Sequence, residues 1–171
     1  MALAAAFCCT MTTTVFNSCD KNDDSPAVVQ KDTTPAFVQL DFTFNATQDM
    51  LDYCDIVVKY DDGTGEKTEN ITATEWNKSM TPALPATITF SRIATLKADK
   101  DASTAEKIAY TNGYNLNYSI LNANGENLNK SGNTSSNNTA SMKGANFVEA
   151  VGEGILNKTH SFTFDKNGNI K

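Results

Sequence analysis

The sequence predicts a mainly β fold, an antiparallel β-sandwich of immunoglobulin-like or similar topology. Apolar residues alternate with polar ones in about seven short runs, which is typical of strands with one buried face. Turns rich in glycine and asparagine separate several of these runs at hairpin spacing. One stretch, residues 140–154, has apolar residues at helical spacing, so an α+β fold is the alternative.

Size and composition indicate one folded domain with an acidic surface. The chain has 171 residues, of which 40% are hydrophobic and 20% charged. Its net charge of -6 and pI near 4.7 argue against a nucleic-acid partner, because phosphate binding needs clustered lysine and arginine. The acidity also argues against adsorption to anionic lipid through a basic patch.

The first strand begins at Phe37, and its alternating apolar residues are Val38, Leu40, Phe42 and Phe44. Thr47 is placed to cap a single helical turn that carries Met50 and Leu51 inward. Residues 54–73 read as a hairpin because glycines interrupt the alternation at its centre.

The middle of the chain is less regular. Residues 74–85 read as a connection between two sheets and hold the only tryptophan, Trp76. After Ile88 and Phe90 the next apolar residues, Ile93 and Leu96, fall out of phase. This change of phase predicts a β-bulge near Ser91 or Arg92. Residues 99–106 read as a loop.

The most regular strand pattern follows, and Asn112-Gly113 interrupts it as a kink or tight turn. The apolar residues that share its parity are Ile108, Tyr110, Tyr114, Leu116, Tyr118 and Ile120. Residues 122–138 are almost wholly polar and predict a mobile surface loop. A helix is expected within residues 140–154, with Met142, Phe147, Val148 and Val151 on its apolar face. His160, Phe162 and Phe164 mark a last strand.

Residues 1–18 form a weakly apolar leader without a charged side chain, and charge begins directly after Cys19. The leader is too short and too rich in threonine to span a bilayer core of about 30 Å as a stable helix. The segment resembles the lipobox of a bacterial lipoprotein. This resemblance implies that residues 1–18 are a signal peptide and that Cys19 is the lipidated N-terminus, with acyl chains as the membrane anchor. The alternative is a first strand or helix of the fold.

Four charged residues follow the cysteine: Asp20, Lys21, Asp23 and Asp24. They resemble the export signal of Bacteroidota surface lipoproteins, which implies the outer face of the outer membrane, with its periplasmic face as the alternative. Residues 19–35 then form a flexible tether, and residues 36–171 a single β-rich domain. Asp32-Thr33-Thr34 also resembles the O-glycosylation site of secreted proteins of that phylum, with Thr33 as acceptor.

Few residues suggest catalysis. His160 is the only histidine, which excludes sites made of several histidines, and no Gly-x-Ser-x-Gly turn supplies it with a nucleophile. We expect it to be a partly buried strand residue. If Cys8 and Cys9 leave with the leader and Cys19 carries lipid, Cys54 has no disulfide partner and is expected in the core.

Carboxylates are frequent between residues 49 and 62, namely Asp49, Asp52, Asp55, Asp61 and Asp62. A glycosidase pair among them stays open as a minor alternative. Asp61, Asp62 and Glu66 are a weak calcium candidate, because calcium prefers oxygen ligands near a loop. No phosphate-binding glycine motif, zinc-type cysteine pair or dinucleotide fingerprint occurs, so no cofactor is expected.

Surface recognition is the remaining class of function. Trp76, Tyr110 and Tyr114 are aromatic candidates for stacking on a ligand, with core packing as the alternative. The leading hypothesis is a non-enzymatic, lipid-anchored cell-surface domain that binds a glycan or a protein. The alternatives are a structural or assembly subunit of an envelope complex and, less favoured, a small hydrolase.

Overall fold

The computed structural model describes residues 31–62 and 64–171, and the fold is mainly β with antiparallel sheets. Residues 32–171 form one compact unit. The leader, Cys19 and the charged residues Asp20, Lys21, Asp23 and Asp24 lie outside the described residues. Neither helix in the described part of the chain is long and apolar enough to cross a bilayer.

The described residues contain ten strands and two helices. In chain order these are β1 (Phe37–Asn45), α1 (Gln48–Tyr53), β2 (Cys54–Asp61), β3 (Glu66–Ile71), β4 (Glu75–Met80), β5 (Ala86–Leu96), β6 (Ile108–Thr111), β7 (Tyr114–Leu121), β8 (Asn127–Ser136), β9 (Thr139–Met142), α2 (Gly144–Gly152) and β10 (Lys158–Phe164).

Two four-stranded sheets make a sandwich-like arrangement. Sheet A has the strand order β4-β1-β7-β8, sheet B has the order β10-β5-β2-β3, and β6 pairs with β9 in a small third sheet. The inward side chains of both large sheets share one apolar core. The rings of Phe42 from sheet A and Phe90 from sheet B stack there with centroids 4.1 Å apart.

The sequence predicts the first third of the domain correctly. The four alternating apolar residues of β1 are fully buried. The Thr47 hydroxyl accepts a hydrogen bond from Met50 N at 3.1 Å and caps α1, and Met50 is buried. Strands β2 and β3 form the expected hairpin, and Cys54 lies in the core.

The β-bulge predicted near Ser91 or Arg92 does not occur. Strand β5 pairs without a register shift with β2 and with β10. The inward position that follows Phe90 is occupied by Arg92, and Ala94 takes the next one. The expectation was wrong because it assumed that a charged side chain faces water, whereas Arg92 is fully buried.

The mobile loop predicted over residues 122–138 is also wrong, because residues 127–136 form β8. The strand pairs with β7 through backbone hydrogen bonds, which do not require apolar side chains. Gly132 has a specific role in this pairing. A Cβ atom at Gly132 would lie 2.5 Å from the hydroxyl oxygen of Tyr118, so only glycine lets that ring lie across the strand.

Three boundaries differ from the prediction. Residues 75–80 form β4 rather than a bare connection, although the chain does pass there from sheet B to sheet A. The regular pattern from Ile108 to Ile120 is divided between β6 and β7, which lie in different sheets. Helix α2 begins only at Gly144, and Met142 belongs to β9.

The buried Arg92 guanidinium is held by oxygen acceptors from three other parts of the chain. Nη1 donates to Asn45 O at 2.8 Å, and Nη2 donates to Thr111 O at 3.0 Å and Leu156 O at 3.1 Å. Nη2 also lies 3.0 Å from Asn112 Oδ1. Burial lowers the pKa of Arg92 to about 10, so the side chain stays charged at neutral pH.

We expect Arg92→Lys to lower the free energy of unfolding by about 3 kcal/mol, because one ammonium group cannot bond all of these oxygens and some remain buried without a donor. Urea unfolding measures the change. Lys158→Met is the matched control, since Lys158 pairs with Arg92 in the register but is only half-buried. A loss below about 1 kcal/mol for Arg92→Lys would show that the branched guanidinium, with its two Nη donors, is not required for stability.

Candidate functional site

The outward side chains of sheet A form a continuous polar surface, which we call the amide face. They alternate with the buried residues of β1, β4 and β7 and lie on the exposed positions of β8. Almost all of the polar ones are amides or hydroxyls, and the carboxylates Asp41 and Glu75 are the exceptions. The apolar residues Phe37 and Leu121, which pair at one end of the sheet, share the outward positions of β1 and β7. The amide face consists of Gln39, Asp41, Thr43, Asn45, Glu75, Asn77, Ser79, Asn115, Asn117, Ser119, Ser131, Asn133 and Ser135.

The strand register arranges these side chains in rows that cross the sheet. One row runs through Ser79, Asp41, Asn117 and Asn133. The next row toward the carboxyl end of β1 consists of Asn77, Thr43, Asn115 and Ser135. Neighbouring strands in a sheet lie about 4.8 Å apart, so the rows present polar groups at a regular spacing.

Hydrogen bonds within the rows fix the orientation of several side chains. Thr43 Oγ1 donates to Asn77 Oδ1 at 2.6 Å, and the Ser79 hydroxyl donates to Asp41. Asn133 Nδ2 donates to the Oδ1 atoms of both Asn115 and Asn117, each at 2.6 Å. The amide face is therefore ordered by its own contacts before any ligand arrives.

This bonding pattern leaves a defined set of groups for a ligand. Asn133 uses both hydrogens of its amide, which keeps its Oδ1 atom available as an acceptor. The amide hydrogens of Asn115 and Asn117 have no acceptor among the described residues, so both side chains can donate. Donors and acceptors thus alternate over a few ångströms.

A shallow open groove of about 510 Å³ crosses the amide face. Its lining includes Gln39, Asp41, Asn117, Ser119 and Asn133. None of the side chains on the amide face is a cation, and Asp41 gives the groove a negative charge. The groove therefore suits a neutral ligand rich in hydroxyl groups better than an anionic one.

The amide face was not predicted from the sequence. The sequence does contain a pattern typical of it, because the polar residues of β1, β7 and β8, apart from Asp41 and Lys130, are mostly asparagine, serine, threonine and glutamine. The pattern could not show which strands are neighbours. Strand β1 lies between β4 and β7, and the latter begins almost seventy residues after β1 ends.

The three aromatic residues predicted for ligand stacking do not form one surface. The Trp76 side chain is only 7% exposed and packs in the core beside Tyr60 and Phe90. Tyr110 and Tyr114 are half-buried and pack against the core from β6 and β7. A stacking platform made of these rings is therefore not present in the described structure.

Trp76 instead belongs to a polar cluster that joins the edge strands β3 and β4. Glu69 accepts hydrogen bonds from Tyr60 Oη, from Trp76 Nε1 at 3.1 Å and from Lys78 Nζ at 2.8 Å. The Lys78 ammonium also lies 4.7 Å from the centre of the Tyr60 ring. The bonds from Lys78 and Tyr60 lower the pKa of Glu69, so the cluster carries an ion pair near neutral pH.

His160 lies on the inner side of β10, as its parity indicates. Its ring packs against that of Tyr114 with centroids 3.9 Å apart, and its Nε2 atom is buried without a hydrogen-bond partner in the described structure. Burial, and secondly the positive charge of Arg92, lower the pKa of His160. The histidine is therefore neutral in the folded protein at pH 7.

The calcium candidate does not converge on one point. Asp62 Oδ1 accepts from the backbone and hydroxyl of Thr64, Asp61 Oδ1 accepts from Gly65 N, and Glu66 lies 3.5 Å from Lys59. No group of three or more histidine, cysteine, aspartate or glutamate residues with metal-binding geometry exists within residues 31–62 and 64–171.

The other acidic residues near α1 have structural roles. Asp49 Oδ2 accepts from Ala109 N at 2.6 Å, which fixes the edge of β6 to α1. Asp52 accepts from Gln48 within α1, and the Asp55 side chain is exposed on β2. These contacts give no support to a pair of carboxylates facing each other across a cleft.

Cys54, which was expected in the core, and Thr33, the predicted glycosylation site, also lie within the described residues. Burial raises the pKa of Cys54 to about 11, so the thiol is protonated at neutral pH and a poor nucleophile. Thr33 is exposed, and it lies between Thr34 and Asp32, whose carboxylate accepts a hydrogen bond from Thr34 N. An exposed hydroxyl in this position is accessible for modification.

The low pKa of His160 predicts a dependence of stability on pH. In the unfolded protein the histidine has its ordinary pKa of 6.5, so it binds a proton at a higher pH than in the folded protein. The contribution of His160 to the stability of the folded state is therefore complete above pH 6.5 and is lost as the pH falls below it. We expect wild-type stability in urea to fall more steeply from pH 7.5 to 5.5 than that of His160→Phe. His160 is the only histidine, so equal slopes would exclude it as the source.

Comparison of the chain with protein-family models, with curated proteins and with solved structures finds no match to any of them.

Proposed function

We propose that this protein is a lipid-anchored cell-surface domain that binds a neutral glycan on the amide face of sheet A. The observation that carries this proposal is the row of Asp41, Asn117 and Asn133 in the groove. These side chains offer acceptors and donors side by side, and the bonds within their rows hold them in place. Sugar hydroxyl groups can donate and accept at once, so they match such a surface.

The chemistry of the amide face also supports a neutral ligand. Binding to sulfated or uronic-acid glycans would bring negative charge toward Asp41 and Glu75, and the whole chain carries a net charge of -6. Little free energy is lost when a sugar hydroxyl group replaces the water bound to an amide or hydroxyl side chain. Each contact then adds little to the affinity. A polymer with repeated units that spans several rows binds most tightly, because it makes many such contacts.

The predicted membrane anchor fits this function. Acyl chains on Cys19 would hold the domain at the outer membrane, and the tether of residues 19–35 would let it turn toward a polysaccharide. The leader and the charge pattern after Cys19 support such an anchor. Neither a catalytic step nor a bound cofactor is needed for this role.

We expect Asn117→Ala and Asn133→Ala each to weaken binding of the best neutral glycan about tenfold. Each removes an amide that bonds directly or orients its neighbour, and a loss of about 1.4 kcal/mol corresponds to that factor. A glycan array of neutral, uronic and sulfated polysaccharides identifies the ligand, and calorimetry measures the affinities of the variants.

The outer face of sheet B provides the matched control. Thr89 Oγ1 donates to Ser161 Oγ at 3.0 Å there, in the same kind of cross-strand polar row. Thr89→Ala and Ser161→Ala should leave glycan binding unchanged. Preferential binding of anionic glycans, or equal losses for variants on the two faces, would contradict the proposal.

The anchor is tested separately by Cys19→Ala. We expect the wild-type protein to incorporate labelled palmitate and to sediment with membranes, and the variant to lose both properties. Protease treatment of intact cells distinguishes the outer face from the periplasmic face, because only surface-exposed protein is digested. Membrane attachment that persists in Cys19→Ala cells would refute lipidation at this residue.

A further inference from the structure

Most of the outer edges of the two large sheets are protected against pairing with another strand. The edges of β3 and β4 carry charged residues and are linked to each other by Glu69 and Lys78. The edge of β10 is covered near its end, where Lys171 N donates to Thr163 O at 3.0 Å. Residues 131–136 of β8 have neither a charged side chain nor such a cover among the described residues.

Strand β8 pairs only with β7 among the described strands, and residues 131–136 carry no charge. The one charged side chain of β8, Lys130, is directed away to the turn after β10, where its Nζ donates to Asn167 O at 2.8 Å and Asn169 Oδ1 at 2.6 Å. The pairing of β8 with β7 is irregular before Ser131, where the register shifts and Asn129 has a φ of 58°, but it is regular from Ser131 to Ser136. A regular, uncharged edge of this kind is a template for strand pairing.

The register shows which backbone groups of β8 face outward. Asn45 N donates to Gly113 O at 3.0 Å, so the odd-numbered residues of β7 bond toward β1 and its even-numbered residues bond toward β8. The even-numbered residues of β8 are paired with them. The N–H and C=O groups of Ser131, Asn133 and Ser135 therefore point to solvent.

We propose that β8 pairs in the antiparallel direction with β8 of a second copy of this chain, across a two-fold axis at Asn133. In this register Asn133 lies opposite its own copy, and Ser131 lies opposite Ser135. Each of these pairs exchanges two backbone hydrogen bonds, as residues do in the narrow pairs of an antiparallel ladder.

The composition of β8 favours a copy of itself over an unrelated strand. Lys130 falls opposite Ser136 in this register, so no like charges meet. Serine and asparagine side chains can bond across the axis, as Asn133 already does to Asn115 and Asn117. The two amide faces would then become one surface of eight strands, which continues the rows of sheet A.

Sedimentation equilibrium of the full chain, in density-matched detergent with reductant, should give the mass of a dimer. Ser135→Pro removes an outward N–H and should yield a monomer with an unchanged unfolding midpoint. Thr134→Pro is the matched control, because its N–H bonds to β7, and we expect it to destabilise the fold itself.

A charge exchange at the two-fold axis tests the register without changing the backbone. Asn133→Lys and Asn133→Asp each place like charges opposite each other, so each variant alone should associate at least about tenfold more weakly. A mixture of the two variants should recover the dimer, because the introduced lysine of one chain would then face the introduced aspartate of the other. Thr68→Lys on the edge of β3 should not affect the mass.

A wild-type chain that stays monomeric at the highest concentration reached, a dimer that survives Ser135→Pro, or a mixture that fails to recover dimerisation would overturn the proposal. The same holds if the Asn133→Cys variant forms crosslinks on cells to another protein and none to its own copy. None of these outcomes depends on glycan binding, so the two proposals fail independently.

Discussion

The guanidinium of Arg92 connects parts of the chain that no single sheet holds together. Through one side chain it joins the end of β1 at Asn45, the end of β6 at Thr111 and the segment after α2 at Leu156 to the middle of β5. None of the acceptors that the described residues supply is a carboxylate. Backbone carbonyl groups and the side-chain oxygen of Asn112 replace the lost water. The Nε atom has no partner in the described structure, so the two Nη groups make all of the guanidinium's hydrogen bonds there.

This arrangement explains where sequence reasoning succeeded and where it failed. Alternation of apolar and polar residues predicts β1, β2 and β10 because their inward positions are apolar, apart from Lys158 and His160 in β10. In β5 an inward position is occupied by Arg92. The sequence-based prediction assumed that a charged side chain faces water, and it therefore placed a β-bulge there. The prediction of β8 was wrong for a different reason. The strand is ordered by backbone pairing with β7, which cannot be read from its side-chain composition.

The candidate site could be predicted only in part for a related reason. Polar residues that alternate along β1 and β7 show that one side of each strand faces water. Whether such residues make an isolated surface or a continuous one depends on the order of strands in the sheet. The order β4-β1-β7-β8 brings together residues from 39 to 135, and this order follows from tertiary packing rather than from local pattern.

Strand β8 gives the two proposals a common structural basis. Its outward side chains complete the rows of the amide face, while its outward backbone groups form the free edge, and Asn133 takes part in both. A single face offers few contacts to a neutral glycan, each of small net value in water. A second face aligned with the first would let one polymer bind twice, so the second contact would form at a high effective concentration without any stronger bond. Anchoring in a membrane would further favour such pairs, because it confines both copies to one plane and removes part of the entropy that association costs.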